Sequence, residues 1–448
     1  MVRSKKLSIG LTVVLAIFTL TLLVATRAAA QQESVLYSFN YPNGTDGQSP
    51  GAGLAFDANG NLYGTTLGGG VGAGTVFELM PVLGGGWTEK ILYNFAGGKD
   101  GFGPQARLIL DASGNFYGTT VHGGGLGGCN LFCGTVFELS PAGGGSWKEK
   151  VLHSFNGQNG GNPQAGLILD ASGDLYGTTY DGGAHGYGTV FELIPAARGK
   201  WKEKVLHTFN STPKGKDGFY PQAGLIFDGS GNLYGTTIYG GTGTCAPEEG
   251  ITSCGIIFEL TPTLGGSWKE KVLHDFKNDG TDGAHPEGSL IFDASGNLYG
   301  AAYEGGYPTV KGDECYPVGC GVVFELTPAG GGWASKALYN FYGNFSDGIY
   351  PQDGLIFDAS GNLYGTTLEG GPVGNSEGTA FKLTPAEGGS WTETVLHNFM
   401  ENGTDGFFPL AGLLFDSAGN LYGTTLGGGP LGGVCGGYGC GTVFEITP

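Results

Sequence analysis

The chain is patterned as short apolar runs separated by small polar turns, and the pattern recurs. In its third copy "AGLILD" ends at Asp170, "ASGD" follows, then "LYGTT", then "GTVFELIP" from Gly188, and after a turn "WKEKVLHTF" from Trp201. The first run is continuous and rich in branched residues, as suits a strand buried on both faces. No segment carries a convincing helical period. Each copy therefore predicts four strands, A to D. Aligned on Val35, equivalents fall at Ile91, Val151, Val205, Val272, Ala337 and Val395, which makes seven copies.

A count of the strands predicts how the copies are arranged. Strand A ends on an aspartate seven times, at Asp57, Asp111, Asp170, Asp228, Asp293, Asp358 and Asp416. Strand C carries a phenylalanine seven times, from Phe77 to Phe444. Strand D carries a tryptophan only six times, from Trp87 to Trp391. The missing D strand is at the other end, where "SVLYSF" (Ser34 to Phe39) precedes the first strand A. A ring accommodates this offset, because the first strand completes the last blade and closes the circle. The expected fold is all-β, a seven-bladed β-propeller of four-stranded blades over residues 31–448. Closure also protects strand edges that an open array would expose. A β-solenoid is the alternative, and it would want shorter, more regular repeats.

The repeated aspartates read as turn caps. Each would accept local N–H groups while a following glycine, such as Gly60 or Gly419, supplies the positive φ of a tight hairpin. Glu78 on strand C is expected to pair with Lys90 on strand D, and so on around the ring. In the sixth copy both positions change together, to Lys382 and Thr394.

The first thirty residues lie outside this pattern. Arg3, Lys5 and Lys6 precede an apolar run from Leu7 to Ala25, and Ala28-Ala29-Ala30 offers a cleavage site. This predicts an export signal over residues 1–30. If uncleaved, the same segment is the chain's one predicted contact with a membrane. Its four positive charges take the formal net charge from −19 to −23 on removal. Such a surface repels phosphate backbones and argues against nucleic acid as a partner. An exported chain meets an oxidising compartment, outside the cell, at its surface or in the periplasm. The eight cysteines fall in close pairs, which predicts four local disulfides: Cys129–Cys133, Cys245–Cys254, Cys315–Cys320 and Cys435–Cys440. Their unequal spacings argue against zinc.

The phrases "GLIFDASGNLYGTT", "GTVFELTP" and "WKEKVLHSF" together resemble the Gloeobacter/Verrucomicrobia tandem repeat of exported bacterial proteins. The resemblance covers essentially the whole chain after residue 30. It implies export, and it brings no reaction and no catalytic residues.

The residues themselves offer no zincin motif, nucleophile elbow or P-loop. His153, His207, His274 and His397 hold one position of strand D that Tyr37, Tyr93 and Tyr339 hold elsewhere, which reads as packing with a polar tip. Glu149 and His153 share a strand face but sit about 13 Å apart along it, too far for a dyad. Function is expected on the face where the D–A and B–C loops meet. On the D–A loops Tyr220, Tyr350 and Phe408 stand before a proline and are candidate ligand contacts. On the longest B–C loops the candidates are Glu248, Glu249, Asp313, Glu314 and Tyr316. No cofactor is predicted; calcium held by the D–A loop aspartates is the alternative to a plain turn, and it lacks the support that the dense acidic spacing of a calcium loop would give. The expected protein is a monomeric binding or scaffolding module for a glycan or protein ligand. An enzyme acting on polysaccharide through loop carboxylates (a lyase or glycosidase) and a purely structural surface protein are the alternatives.

Overall fold

The computed structural model describes residues 32–40, 46–125, 133–210, 217–245, 253–307, 315–342, 347–371, 376–430 and 435–447. It is a seven-bladed β-propeller. Blade 1 is built of strand A (Ala55–Phe56), B (Leu62–Thr66), C (Thr75–Pro81) and D (Trp87–Asn94), hydrogen-bonded in that order. Blades 2 to 6 repeat it, with strand A at Ile109–Leu110, Ile168–Leu169, Ile226–Phe227, Ile291–Phe292 and Ile356–Phe357. Blade 7 takes strands A to C from Leu414–Phe415, Leu421–Thr425 and Thr442–Thr447, and its strand D is Gln32–Ser38. Ser34 lies opposite Glu445 and Val35 opposite Phe444, so the ring closes as the strand count predicts.

The core is divided into seven wedges between blades, each filled from two neighbours. The closing wedge joins Phe39, Tyr422 and Val443 of blade 7 to Leu54, Phe77 and Leu79 of blade 1. Strand B contributes a glycine to each wedge because a phenylalanine of strand C lies flat against it. A Cβ on Gly177 would meet Phe191 Cζ at 2.8 Å and Leu167 Cδ2 at 2.9 Å. Gly177→Ala should therefore cost about 1–3 kcal/mol by overpacking. Gly229→Ala, at a turn where nothing lies within 4 Å of the new methyl, should be neutral or slightly stabilising. Urea denaturation of the two variants checks the contrast.

Most of the local expectations hold. Asp57 Oδ1 accepts the N–H groups of Asn59 and Asn61 at 2.8 and 2.9 Å, and the other six strand A aspartates do the same. Burial works against the charge of Asp57, yet these donors hold its pKa below the ordinary value. Lys90, Lys150, Lys204 and Lys271 reach Glu78, Glu138, Glu192 and Glu259 at 3.2–3.8 Å. The expected fifth pair does not form: Lys336 stands opposite Glu325 but donates instead to the Gly389 carbonyl of blade 6 at 2.6 Å. Lys382 faces Thr394 and lies over the Tyr364 ring instead. Three of the four disulfides are formed as expected, with Cα atoms 5.2–5.4 Å apart. Cys133 is also bridged, and its expected partner Cys129 lies outside the described residues.

Each junction between blades carries one polar contact of fixed design. The Tyr or His near the end of strand D meets the following D–A loop: Tyr37 with Asp46, Tyr93 with Asp100, His153 with Asn159, His207 with Asp217, His274 with Asp282, Tyr339 with Asp347 and His397 with Asp405. Strand D of the next blade brings a third group to the same place. It is a glutamate at six junctions (Glu89, Glu149, Glu203, Glu270, Glu393 and Glu33) and Ser335 at the seventh. One leucine of strand D bulges out of register just before the Tyr or His, as Leu92 does between Ile91 and Tyr93, and is buried.

Candidate functional site

The D–A and B–C loops do share one face, because they hydrogen-bond to each other. Gly47–Gln48 pairs with Gly68–Gly69, Gly218–Phe219 with Tyr239–Gly240, and Gly406–Phe407 with Gly427–Gly428. Just past these ribbons every D–A loop places one residue in the left-handed region. These are Ser49, Gly103, Asn162, Tyr220, His285, Tyr350 and Phe408, with φ between 54° and 68°. Each donates its N–H to a carbonyl of the preceding blade, as Tyr220 does to Tyr187 at 3.0 Å and Tyr350 to Cys320 at 2.9 Å. Left-handed backbone is costly for a large side chain. Here it recurs at all seven positions whatever the residue, so the ring topology imposes it.

Three of the sequence candidates, Tyr220, Tyr350 and Phe408, thus occupy one ring of equivalent positions. All are half-buried. Tyr220 stacks on Tyr180 of the preceding blade at 4.6 Å, and Tyr350 on Tyr303 in the same way at 4.6 Å. Phe408 packs edge-on against Phe407. The aromatic rings gather on blades 3 to 7, while Ser49 and Gly103 leave the other side of the mouth open. Tyr316 stands half exposed beside the Cys315–Cys320 bridge. Glu248, Glu249, Asp313 and Glu314 lie outside the described residues.

Below the mouth the chain runs inward past a proline, and the next three residues of each blade, Gly288 and Ala411 excepted, line an axial cavity of about 700 Å³. The first of the three is an amide in four blades: Gln105, Gln164, Gln222 and Gln352. Gly51, Glu287 and Leu410 take that place elsewhere. The second is alanine in five blades but Gly288 in blade 5 and Asp353 in blade 6. The third is glycine except for Arg107 in blade 2 and Ser289 in blade 5. Around a ring of seven, blade 2 stands opposite blades 5 and 6. One cation therefore faces two carboxylates across the bore.

The departures from symmetry belong together. In five blades a strand B threonine donates to the alanine carbonyl of the next blade, as Thr178 does to Ala223 at 3.1 Å and Thr424 to Ala52 at 3.0 Å. The hydroxyl of Thr236, the residue equivalent in blade 4, has no hydrogen-bond partner, and Ala301 replaces the threonine that would face Asp353. Gly288 is needed because the Asp353 backbone comes within 2.7 Å of where its Cβ would be. Asp353 accepts the Gly354 N–H at 2.6 Å and the Gly412 N–H. Gln352 donates to Glu287 at 2.8 Å, and the Ser289 hydroxyl accepts the Gly224 N–H at 3.0 Å.

Both groups border the bore, where Arg107 is exposed and Asp353 half-buried. Burial raises the pKa of Asp353, while the two N–H donors and the charge of Arg107 oppose the rise. Burial lowers the pKa of Arg107, and Asp353 opposes that. Arg107 lines the cavity and is exposed to it, and among the described residues its guanidinium has no hydrogen bond. Sequence reasoning passed over these residues. The signal was present: "PQARL", "PEGSL" and "PQDGL" depart from "PQAGL" at single columns.

The Gloeobacter/Verrucomicrobia repeat matches the chain over residues 16–246 and 242–448. No curated protein matches it. Among solved structures, a hydrazine synthase of Kuenenia stuttgartiensis is 12% identical with a TM-score of 0.51, over 87% of this chain and 94% of that one. A gluconolactonase of Xanthomonas campestris is 15% identical with a TM-score of 0.40, over 83% and 89%. A putative oxidoreductase (glucose dehydrogenase) of Thermus thermophilus is 16% identical with a TM-score of 0.42, over 93% and 100%. At these identities the likeness concerns the fold alone.

Proposed function

Since the chain belongs to the Gloeobacter/Verrucomicrobia repeat family, and its repeats close around a single axial cavity, we propose that it is an exported binding module whose ligand seats in that cavity. The disulfides support export, because such bridges persist in oxidising compartments. The observation that carries the reading is the broken symmetry of the bore. Arg107 and Asp353 place charges in two columns that hold only glycine, alanine or serine elsewhere, and the other blades are built without them. Large apolar surface with a few convergent polar groups is the usual composition of a ligand site. A half-ring of aromatic side chains over a bed of glutamines suits a glycan, which offers apolar ring faces and many hydroxyls.

The test restores the symmetry. Arg107→Gly and Asp353→Ala put into each column the residue most other blades already carry, so the fold should survive. Wild-type protein on a glycan array should bind an oligosaccharide set that the double variant loses at least tenfold. Equal binding by both proteins, or none by the wild type, removes the axial cavity from consideration. A reducing-sugar assay on the bound glycans separates a binding module from an enzyme using Glu287 and Asp353. Silence in both assays leaves the structural reading.

A further inference from the structure

Two of the seven blade junctions hold a set of groups that the others lack. At the junction of blades 3 and 4, His207, Asp217 and Glu270 each bring a ligand atom within 4.8 Å of the others. At the junction of blades 6 and 7, His397, Asp405 and Glu33 do the same. We propose that these two junctions are sites for a divalent transition metal. The proposal is independent of the axial cavity.

The donor set is one imidazole nitrogen and two carboxylate oxygens. It suits zinc, manganese or ferrous iron better than calcium, which prefers oxygen alone. Bonds of about 2.0–2.2 Å would draw the three donors slightly together, with water in the remaining positions. The imidazole is already aimed: His397 Nε2 lies 3.1 Å from Asp405 Oδ2, and His207 Nε2 lies 3.4 Å from Asp217 Oδ1. Oε1 is buried without a hydrogen bond at all six junction glutamates, Glu33 and Glu270 included, but only at these two do a histidine and an aspartate stand beside it to complete a ligand set. A dication would satisfy that oxygen and neutralise two carboxylates held close together.

The remaining junctions are built alike but each lacks one ligand. Tyr37, Tyr93 and Tyr339 replace the histidine at three. Asn159 replaces the aspartate beside His153, and Ser335 replaces the glutamate beside His274. The two complete sets are also not equivalent in consequence. Glu33 lies on the N-terminal strand that closes the ring, so an ion held there would tie that strand to blade 6.

The same comparison supplies substitutions that the fold tolerates. Full-length protein, stripped with EDTA and dialysed against zinc at pH 8, should retain two ions per chain by elemental analysis. His207→Tyr and His397→Tyr should each retain one and the double variant none. Tyr339→His completes a set with Asp347 and Glu393 and should raise the count to three. Zinc should raise the unfolding temperature of His207→Tyr and leave the double variant unmoved. If a tyrosine variant fails to fold, Glu270→Ser and Glu33→Ser repeat the test with the residue that blade 5 uses. No retained zinc in the wild type, or a count unchanged in the double variant, overturns the proposal.

Discussion

Deleting residues 32–39 should abolish cooperative folding of the ring. The deletion removes strand D of blade 7 and leaves strand C, Thr442–Thr447, as a bare edge. It also removes Phe39, which is 1% exposed and packs edge-on against Phe77 of blade 1 at 5.1 Å. Loss of that side chain alone should cost about 3–5 kcal/mol. Loss of the strand adds every ladder hydrogen bond of the closure and opens the wedge between first and last blades. The truncated protein is expected to aggregate or to unfold about 5–10 °C below the full chain in calorimetry, roughly what a loss of several kcal/mol implies for a ring of this size. A synthetic peptide of residues 32–40 should restore part of the stability by adding back as a strand. A truncated chain with an unchanged transition would mean that the other blade contacts hold the ring without closure.

Much of this architecture was legible because repetition turns residues into columns. Seven Phe columns against six Trp columns predicted the closing strand, and coupled changes at Lys382 and Thr394 predicted the Glu–Lys ladder. The turn aspartates were legible because their partners lie within four residues. The sites were harder to see, for two different reasons. Arg107 and Asp353 look like ordinary loop charge until the blades are superposed and their neighbours prove to be glycine and alanine. The junction groups come from three separate segments, as with His207, Asp217 and Glu270. A search along one strand discarded Glu149 with His153 as two distant groups on one face; the bulge at Leu152 in fact turns them to different junctions, Glu149 to Tyr93 of the preceding blade and His153 to Glu203 of the next, at 3.4 Å. The rim carboxylates of the long B–C loops fall outside the described residues, so sequence remains the basis for naming them.

Those junction glutamates should also make the protein more stable in weak acid than in weak base. Burial, with the nearby charge of Asp46, pushes Glu89 from 4.5 up to about 8. Burial pushes Glu149, Glu203 and Glu393 up to about 7, helped by Asp100 at the first and Asp347 at the last. A carboxyl group whose pKa is higher folded than unfolded keeps its proton in the folded state only. Unfolding then releases a proton anywhere between about pH 4.5 and 7, so stability falls as pH rises through that window. Two histidines act the other way: burial lowers His153 to about 4 and lowers His122 as well, so each takes up a proton on unfolding. Burial raises Glu33 and Glu270 to about 7 as well, so six releases against two uptakes leave a net loss of stability with rising pH, and above about pH 6.5 the glutamates act alone. The partial exposure of these groups weakens the effect, so the expected change is roughly 3–6 °C in unfolding temperature between pH 5 and pH 8. Below about pH 4 the trend reverses, because the turn aspartates such as Asp57 and Asp111 hold depressed values and lose their hydrogen bonds on protonation. Calorimetry in EDTA, from pH 3.5 to 8.5, measures the curve. Replacing Glu89, Glu149, Glu203 and Glu393 by glutamine mimics the protonated form and should flatten it while raising the transition at pH 8. A wild-type transition that is equal or higher at pH 8 than at pH 5 would show that these carboxyl groups are already ionised in the folded ring.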